Sequence, residues 1–127
     1  MSASNVVALG RFEPSEPTRE RESARSPMEV TLQALEGQRP LIVWHLFWGA
    51  RSFSELMRSI SGITKKVLRR ELAEMERQGL VSREVRFGGN RKADYSLTPL
   101  GQSLKPLVAS MYEWGLFRRK ATSSRPF

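Results

Sequence analysis

Four cations, Lys65, Lys66, Arg69 and Arg70, fall in the first two turns of a segment whose apolar residues Leu68, Leu72 and Met75 recur at i, i+4 and i+7. That spacing predicts a helix with an apolar stripe on one side and the cations on the other. Thr64 supplies a hydroxyl cap in front of it, and Gly79 a stop behind it. Positive charge at a helix N-terminus opposes the macrodipole, so a purely structural helix would carry Asp or Glu there. Here the acids Glu71, Glu74 and Glu76 come later. A polyanion outside the helix would compensate its basic start, and phosphate is the obvious candidate. For this helix taken alone, the alternative is a solvated charged face held by i,i+4 pairs such as Arg70–Glu74.

The flanking stretches favour the polyanion. Ser52 followed by Glu55 is a capping box that opens a short helix, and Ser61-Gly62 closes it. After Gly79, residues 80–87 read as a strand, Gly88-Gly89-Asn90 as a turn, and residues 91–98 as a returning strand. Helix, turn, basic helix and basic-tipped hairpin make a winged helix-turn-helix, a mainly α fold with a small β-hairpin (α+β). Across residues 64–92, nine bases (Lys65, Lys66, Arg69, Arg70, Arg77, Arg83, Arg86, Arg91, Lys92) face four acids. Thr64, Lys65, Lys66, Arg69 and Arg70 are the groove-facing candidates, and an arginine among them suits a bidentate contact to guanine. Arg86, Asn90, Arg91 and Lys92 are the wing candidates, holding phosphate without reading sequence.

Composition narrows the rest. The 127 residues suit one domain, and the formal net charge of +8 calls for an acidic partner. No apolar run reaches membrane-span length and no secretory pattern opens the chain, so the expected compartment is the cytoplasm. With no cysteine and a single histidine, His45, neither a metal centre nor a cofactor is expected. An enzyme is not expected either: no serine or acid is visibly paired with His45, and no phosphate-binding glycine loop is present. An RNA-binding or protein-interaction module is the competing reading. It lacks the exposed aromatics that stack on RNA bases, with only Phe87 and Tyr95 near the basic surface.

The motifs G-I-T-K-K-V-L at residues 62–68, E-M-E-R-Q-G-L-V-S-R at 74–83 and Y-S-L-T-P-L-G at 95–101 resemble the HxlR family of transcription regulators. The resemblance runs over residues 27–114. It implies a homodimer with extra helices before and after the winged unit, double-stranded DNA as partner, and a pseudo-palindromic operator. Members often respond to reactive electrophiles or small metabolites, which implies a small-molecule effector. Many carry a cysteine near the position of Ser26-Pro27; a serine hydroxyl cannot follow thiol redox chemistry. Where the family usually shows Gly-Lys-Trp, this chain has Gln38-Arg39-Pro40, and Ser52 replaces the basic residue common before the Phe-x-Glu-Leu motif, leaving Arg51 as a phosphate candidate.

Three segments follow. Residues 1–27, rich in Pro, Ser and alternating charge with four Arg balancing four Glu, read as a loose extension rather than an arm on DNA or a partner. Residues 28–117 hold the winged unit and its dimerisation helices, and 118–127 a frayed basic tail. Val30, Leu32 and Leu35 suggest a short helix closed by Gly37, and Pro40 opens an apolar helix expected to be buried on most sides. Thr98 caps a long last helix with Leu104, Leu107, Val108, Met111 and Trp114 at helical spacing. Together with Leu32 and Leu35, that stripe is the expected dimer interface. Trp44, Phe47 and Trp48 suit the core, or alternatively a small apolar effector pocket.

Overall fold

Hydroxyl caps set the starts of four helices in the computed structural model, which describes residues 25–86 and 92–123. Ser26 opens α1 (Pro27–Ala34): its Oγ accepts from Glu29 N–H at 3.2 Å while the Glu29 carboxylate accepts from Ser26 N–H at 3.3 Å. The same reciprocal box, Ser52 with Glu55, opens α3 (Phe53–Ser59). Thr64 caps α4 (Lys65–Arg77) through Val67 N–H, and Thr98 caps α5 (Pro99–Gln102) through Gly101 N–H, each at 3.1 Å. Each bond satisfies a backbone donor that the helix itself leaves open. Between them, α2 (Arg39–Leu46) begins with Pro40 in its first turn, and α6 (Lys105–Ser123) closes the chain.

The core forms where α2, α3, α4 and α6 converge: Ile42, Val43 and Leu46, then Leu56 and Ile60, then Leu68, Leu72 and Met75, with Leu80, Val81 and Val108. Beside it lies an antiparallel sheet of order β1-β3-β2, built from β1 (Arg51–Ser52), β2 (Val81–Val85) and β3 (Ala93–Leu97). The wing hairpin registers Val81 on Leu97 and Val85 on Ala93, while β1 places Arg51 on Tyr95. The sheet therefore has one strand more than the hairpin read from sequence. A two-residue strand whose partner lies more than 40 positions away leaves no periodic trace.

The other helices depart from expectation in specific ways. The long last helix is broken after Gln102, because Pro106 has no N–H for the Gln102 carbonyl and its ring would collide with it. Ser103 and Leu104 turn back onto Pro99, Leu100 and Gly101, and the helix resumes with Val108 N–H on Leu104 O at 2.9 Å. It then runs past Trp114 through Arg118–Lys120, where a frayed tail was expected. The apolar helix α2 buries one face only: Leu41 is exposed, and Trp48, just beyond its end, is 64% exposed.

Candidate nucleic-acid interface

Helix α4 separates its two jobs by face. Leu68, Leu72 and Met75 are buried, while Thr64, Lys65, Lys66, Arg69 and Arg70 are all exposed. No acidic residue stands in its first turn. Among the described residues none of the four cations enters an ion pair. The Arg70–Glu74 pair that would have made this a self-satisfied surface does not form. Glu74 instead takes Arg77, with Nε to Oε1 at 3.0 Å, and Gln78 at 3.0 Å. The Arg77 guanidinium draws the Glu74 carboxyl down from 4.5 to about 2. Because folding lowers this pKa, the stability it contributes is complete above pH 4.5 and is lost as pH falls through 2. A carbon-detected NMR titration should place Glu74 near 2 and return it toward 4.5 in Arg77→Ala. An ordinary Glu74 value in the wild type would mean that the Arg77–Glu74 bond does not persist in solution.

Arg69 is held as well as exposed. Its guanidinium lies over the Phe53 ring, 5.1 Å from the centroid. It also lines a cleft shared with Ser52, Ser54, Arg83, Lys92 and Tyr95. The cleft therefore joins the recognition helix, the start of α3 and the wing strands on one basic surface. Arg83 reaches it because it lies two residues after Val81 on the same side of β2, opposite Tyr95. Arg83 entered the sequence reading only as one base among nine, although its parity with Val81 already implied its direction. Replacing Phe53 by Leu keeps apolar bulk and removes the ring. DNA affinity should fall by about 0.5–1 kcal/mol at an unchanged melting temperature. Equal binding by Phe53→Leu and wild type in fluorescence anisotropy would show that the ring does not orient Arg69.

The wing candidates divide. Lys92 is exposed and lines the cleft. Arg86 is engaged by Asp94, Nε to Oδ2 at 3.2 Å, so part of its charge is offset across the hairpin. Asn90 and Arg91 lie outside the described residues. Arg51 sits in β1 opposite Tyr95, and Ser52 is buried as the α3 cap rather than facing outward. Partial burial, and then the nearby Arg51 charge, hold the His45 pKa below its ordinary value. No group of three or more His, Cys, Asp or Glu among the described residues is arranged to hold a metal.

The other candidate residues lie away from this face. Leu32 and Trp114 are exposed at 64% and 63%, Met111 is exposed, and Leu35, Leu104 and Leu107 are half-buried. Val108, grouped with them from its spacing, is 3% exposed and belongs to the chain's own core, because its side of α6 packs on α2. Met28, Val30, Leu100, Leu104 and Leu107 line a groove between α1 and the α5–α6 corner. Trp44, Phe47 and Trp48 pack on one another: Trp44 meets Trp48 edge-on at 5.0 Å and stacks on Tyr112 at 4.5 Å. The cluster ties α2 to α6, and Lys105 sits over Phe47.

A capped helix-turn-helix with an unpaired basic face, backed by a three-stranded sheet that carries a wing, defines a winged-helix DNA-binding protein. The HxlR-like helix-turn-helix family model matches residues 38–122. The HTH-type transcriptional regulator YybR of Bacillus subtilis is 36% identical over 99 residues, spanning 77% of this chain and 79% of its own. YkvN of the same organism is 41% identical over 88 residues, 68% of this chain and 75% of its own. Among solved structures, the redox regulator HypR in its reduced form superposes with a TM-score of 0.72 at 37% identity, covering 79% of this chain and all of that one. The regulator ytcD does so at 0.71 and 31% identity, covering 76% and 99%. The chain belongs to the HxlR family, and it is a DNA-binding transcriptional regulator. The RNA-binding and interaction-module reading is not favoured by these relatives.

Proposed function

We propose that the protein binds a pseudo-palindromic operator as a homodimer, in the cytoplasm and without catalysis of its own. The supporting observation is the pairing of two surfaces. The unpaired basic face of α4 suits a major groove, and the exposed apolar residues of α1 and α6 suit a second copy of the chain. A two-fold axis through α1 and α6 would set two recognition helices about 34–36 Å apart, on successive major grooves of one DNA face. Lys65, Lys66, Arg69 and Arg70 enter the groove, and Lys92 and Arg83 hold the flanking backbone, with Asn90 and Arg91 as further phosphate candidates from the sequence. For a small-molecule effector the candidate remains Trp44, Phe47 and Trp48, where a planar ligand would have to compete with the Tyr112 stack.

Selection of bound duplexes from a random pool tests this reading, with half-sites one helical turn apart as the expected product. On the selected site, Arg69→Ala and Arg70→Ala should each cost about 1–3 kcal/mol. Lys92→Ala should weaken all duplexes alike and lower the salt slope by about one unit. Recovery of no common sequence, or of single half-sites only, would count against it.

A further inference from the structure

Two charges are buried where the apolar stripe of α4 meets the rest of the core. Arg39 is 8% exposed and Glu71 5%. Arg39 Nε donates to Glu71 Oε1 at 2.7 Å, and Arg39 Nη1 donates to the carbonyl of Gln33, in the last turn of α1, at 2.6 Å. The other carboxylate oxygen accepts from the backbone N–H of Gln38 at 3.4 Å. Gly37 makes the space: a Cβ there would lie 2.3 Å from Glu71 Oε2, and its φ of +63° independently favours glycine. One guanidinium–carboxylate pair thus joins the end of α1, the start of α2 and the middle of the recognition helix.

Stability is a poor reason for such a pair. Desolvating two charges cancels most of their attraction, and well-packed apolar replacements are often as stable or more so. What the pair adds is direction. The contacts of Leu68, Leu72 and Met75 tolerate sliding and rotation of α4, whereas an ion pair constrained by two further hydrogen bonds does not. At a helix radius of about 5–6 Å with side chains, a 10° rotation moves a groove-facing tip by about 1 Å. Productive recognition geometry tolerates about 0.5 Å.

We infer that Arg39 and Glu71 are positioning residues: a buried strut that fixes the azimuth of α4 against α1 and so sets which half-site spacing the protein reads. The inference rests on the dimeric DNA-binding reading above, because α1 carries exposed apolar residues of the proposed dimer face. Neither residue touches DNA; each acts through the cationic face of α4.

The test compares wild type, Arg39→Met/Glu71→Met and Arg39→Lys. Each is measured on the selected operator, on the operator with one base pair inserted between half-sites, and on a random duplex of equal length and salt. The double variant removes both charges together and so avoids a lone buried charge. Arg39→Lys keeps the charge but cannot span Glu71 and Gln33 at once. The expected result is a folded dimer whose random-duplex affinity matches wild type. Its operator-to-random ratio falls at least tenfold, and its penalty for the inserted base pair shrinks. Arg39→Lys should fall in between. A folded double variant with wild-type ratio and spacing penalty overturns the strut. So does a loss shared equally by operator and random duplex, or a failure to fold accompanied by a wild-type ratio in Arg39→Lys. A wild type that selects no operator is a separate failure, of the DNA reading itself, and takes the strut with it.

Discussion

Replacing Met111 and Trp114 together by aspartate should leave a folded protomer that sediments at half the wild-type mass and binds the selected operator 10²–10⁴-fold more weakly. The protomer survives because neither side chain belongs to its core: Trp114 is 63% exposed, whereas Val108, on the inward side of the same helix, is buried with Ile42 and Leu46. The operator affinity falls because joining two recognition helices makes the second half-site contact intramolecular, and that advantage vanishes with the partner. Two added negative charges would also repel DNA, so the same pair replaced by lysine provides the control. Lysine should disrupt the dimer equally while adding favourable charge. Affinity for an isolated half-site separates the two causes, since it depends on α4 and the wing and should stay near the wild-type value. A lysine variant that remains dimeric by sedimentation, or one that is monomeric yet keeps full operator affinity, would remove α6 from the interface.

How the sequence anticipated this molecule depends on how local each cause is. The recognition helix was readable throughout because its cap, its stripe and its stop all lie within 16 residues, Thr64 to Gly79. The Ser52–Glu55 box was equally visible, and an identical box at Ser26–Glu29 starts α1 at Pro27, one residue before the Met28 start that the apolar spacing suggested. Distant partners left weaker traces. Glu71 looks like one more acid on a charged helix, yet it falls three residues after Leu68 and four before Met75, on the buried stripe. A charge in that phase demands a buried partner, though only the fold names Arg39, 32 positions away. Val108 failed for the opposite reason. An apolar stripe this wide holds both buried residues, such as Val108, and exposed ones, such as Met111 and Trp114, and spacing does not divide the two.

The glycine of Y-S-L-T-P-L-G shows the same dependence on distance, and its replacement has the second large expected effect. At Gly101 the backbone angles are ordinary; the constraint is space. A Cβ there would lie 2.1 Å from the carbonyl oxygen of Leu80 and 3.0 Å from Leu97 Cδ2. That carbonyl already accepts from Thr98 N–H at 3.0 Å, and the Thr98 hydroxyl donates to Gly79 O at 2.5 Å. The α5 turn is thus clamped onto the Gly79–Leu80 stop of the recognition helix, and a methyl group would have to move backbone rather than a flexible side-chain end. Gly101→Ala should cost about 3 kcal/mol, at the upper end for overpacking. For a domain near 100 residues that corresponds to a melting temperature lower by about 12 °C. Gln102→Ala, one residue on and exposed, should stay within about 0.5 kcal/mol. Because α6 leaves from this clamp, Gly101→Ala should also lose operator affinity well below its melting point, while its half-site affinity changes less. If calorimetry found Gly101→Ala and Gln102→Ala melting together, the clamp between α5 and the end of α4 would be looser than its hydrogen bonds imply, and the path from the recognition helix to α6 would have to run through α2 alone.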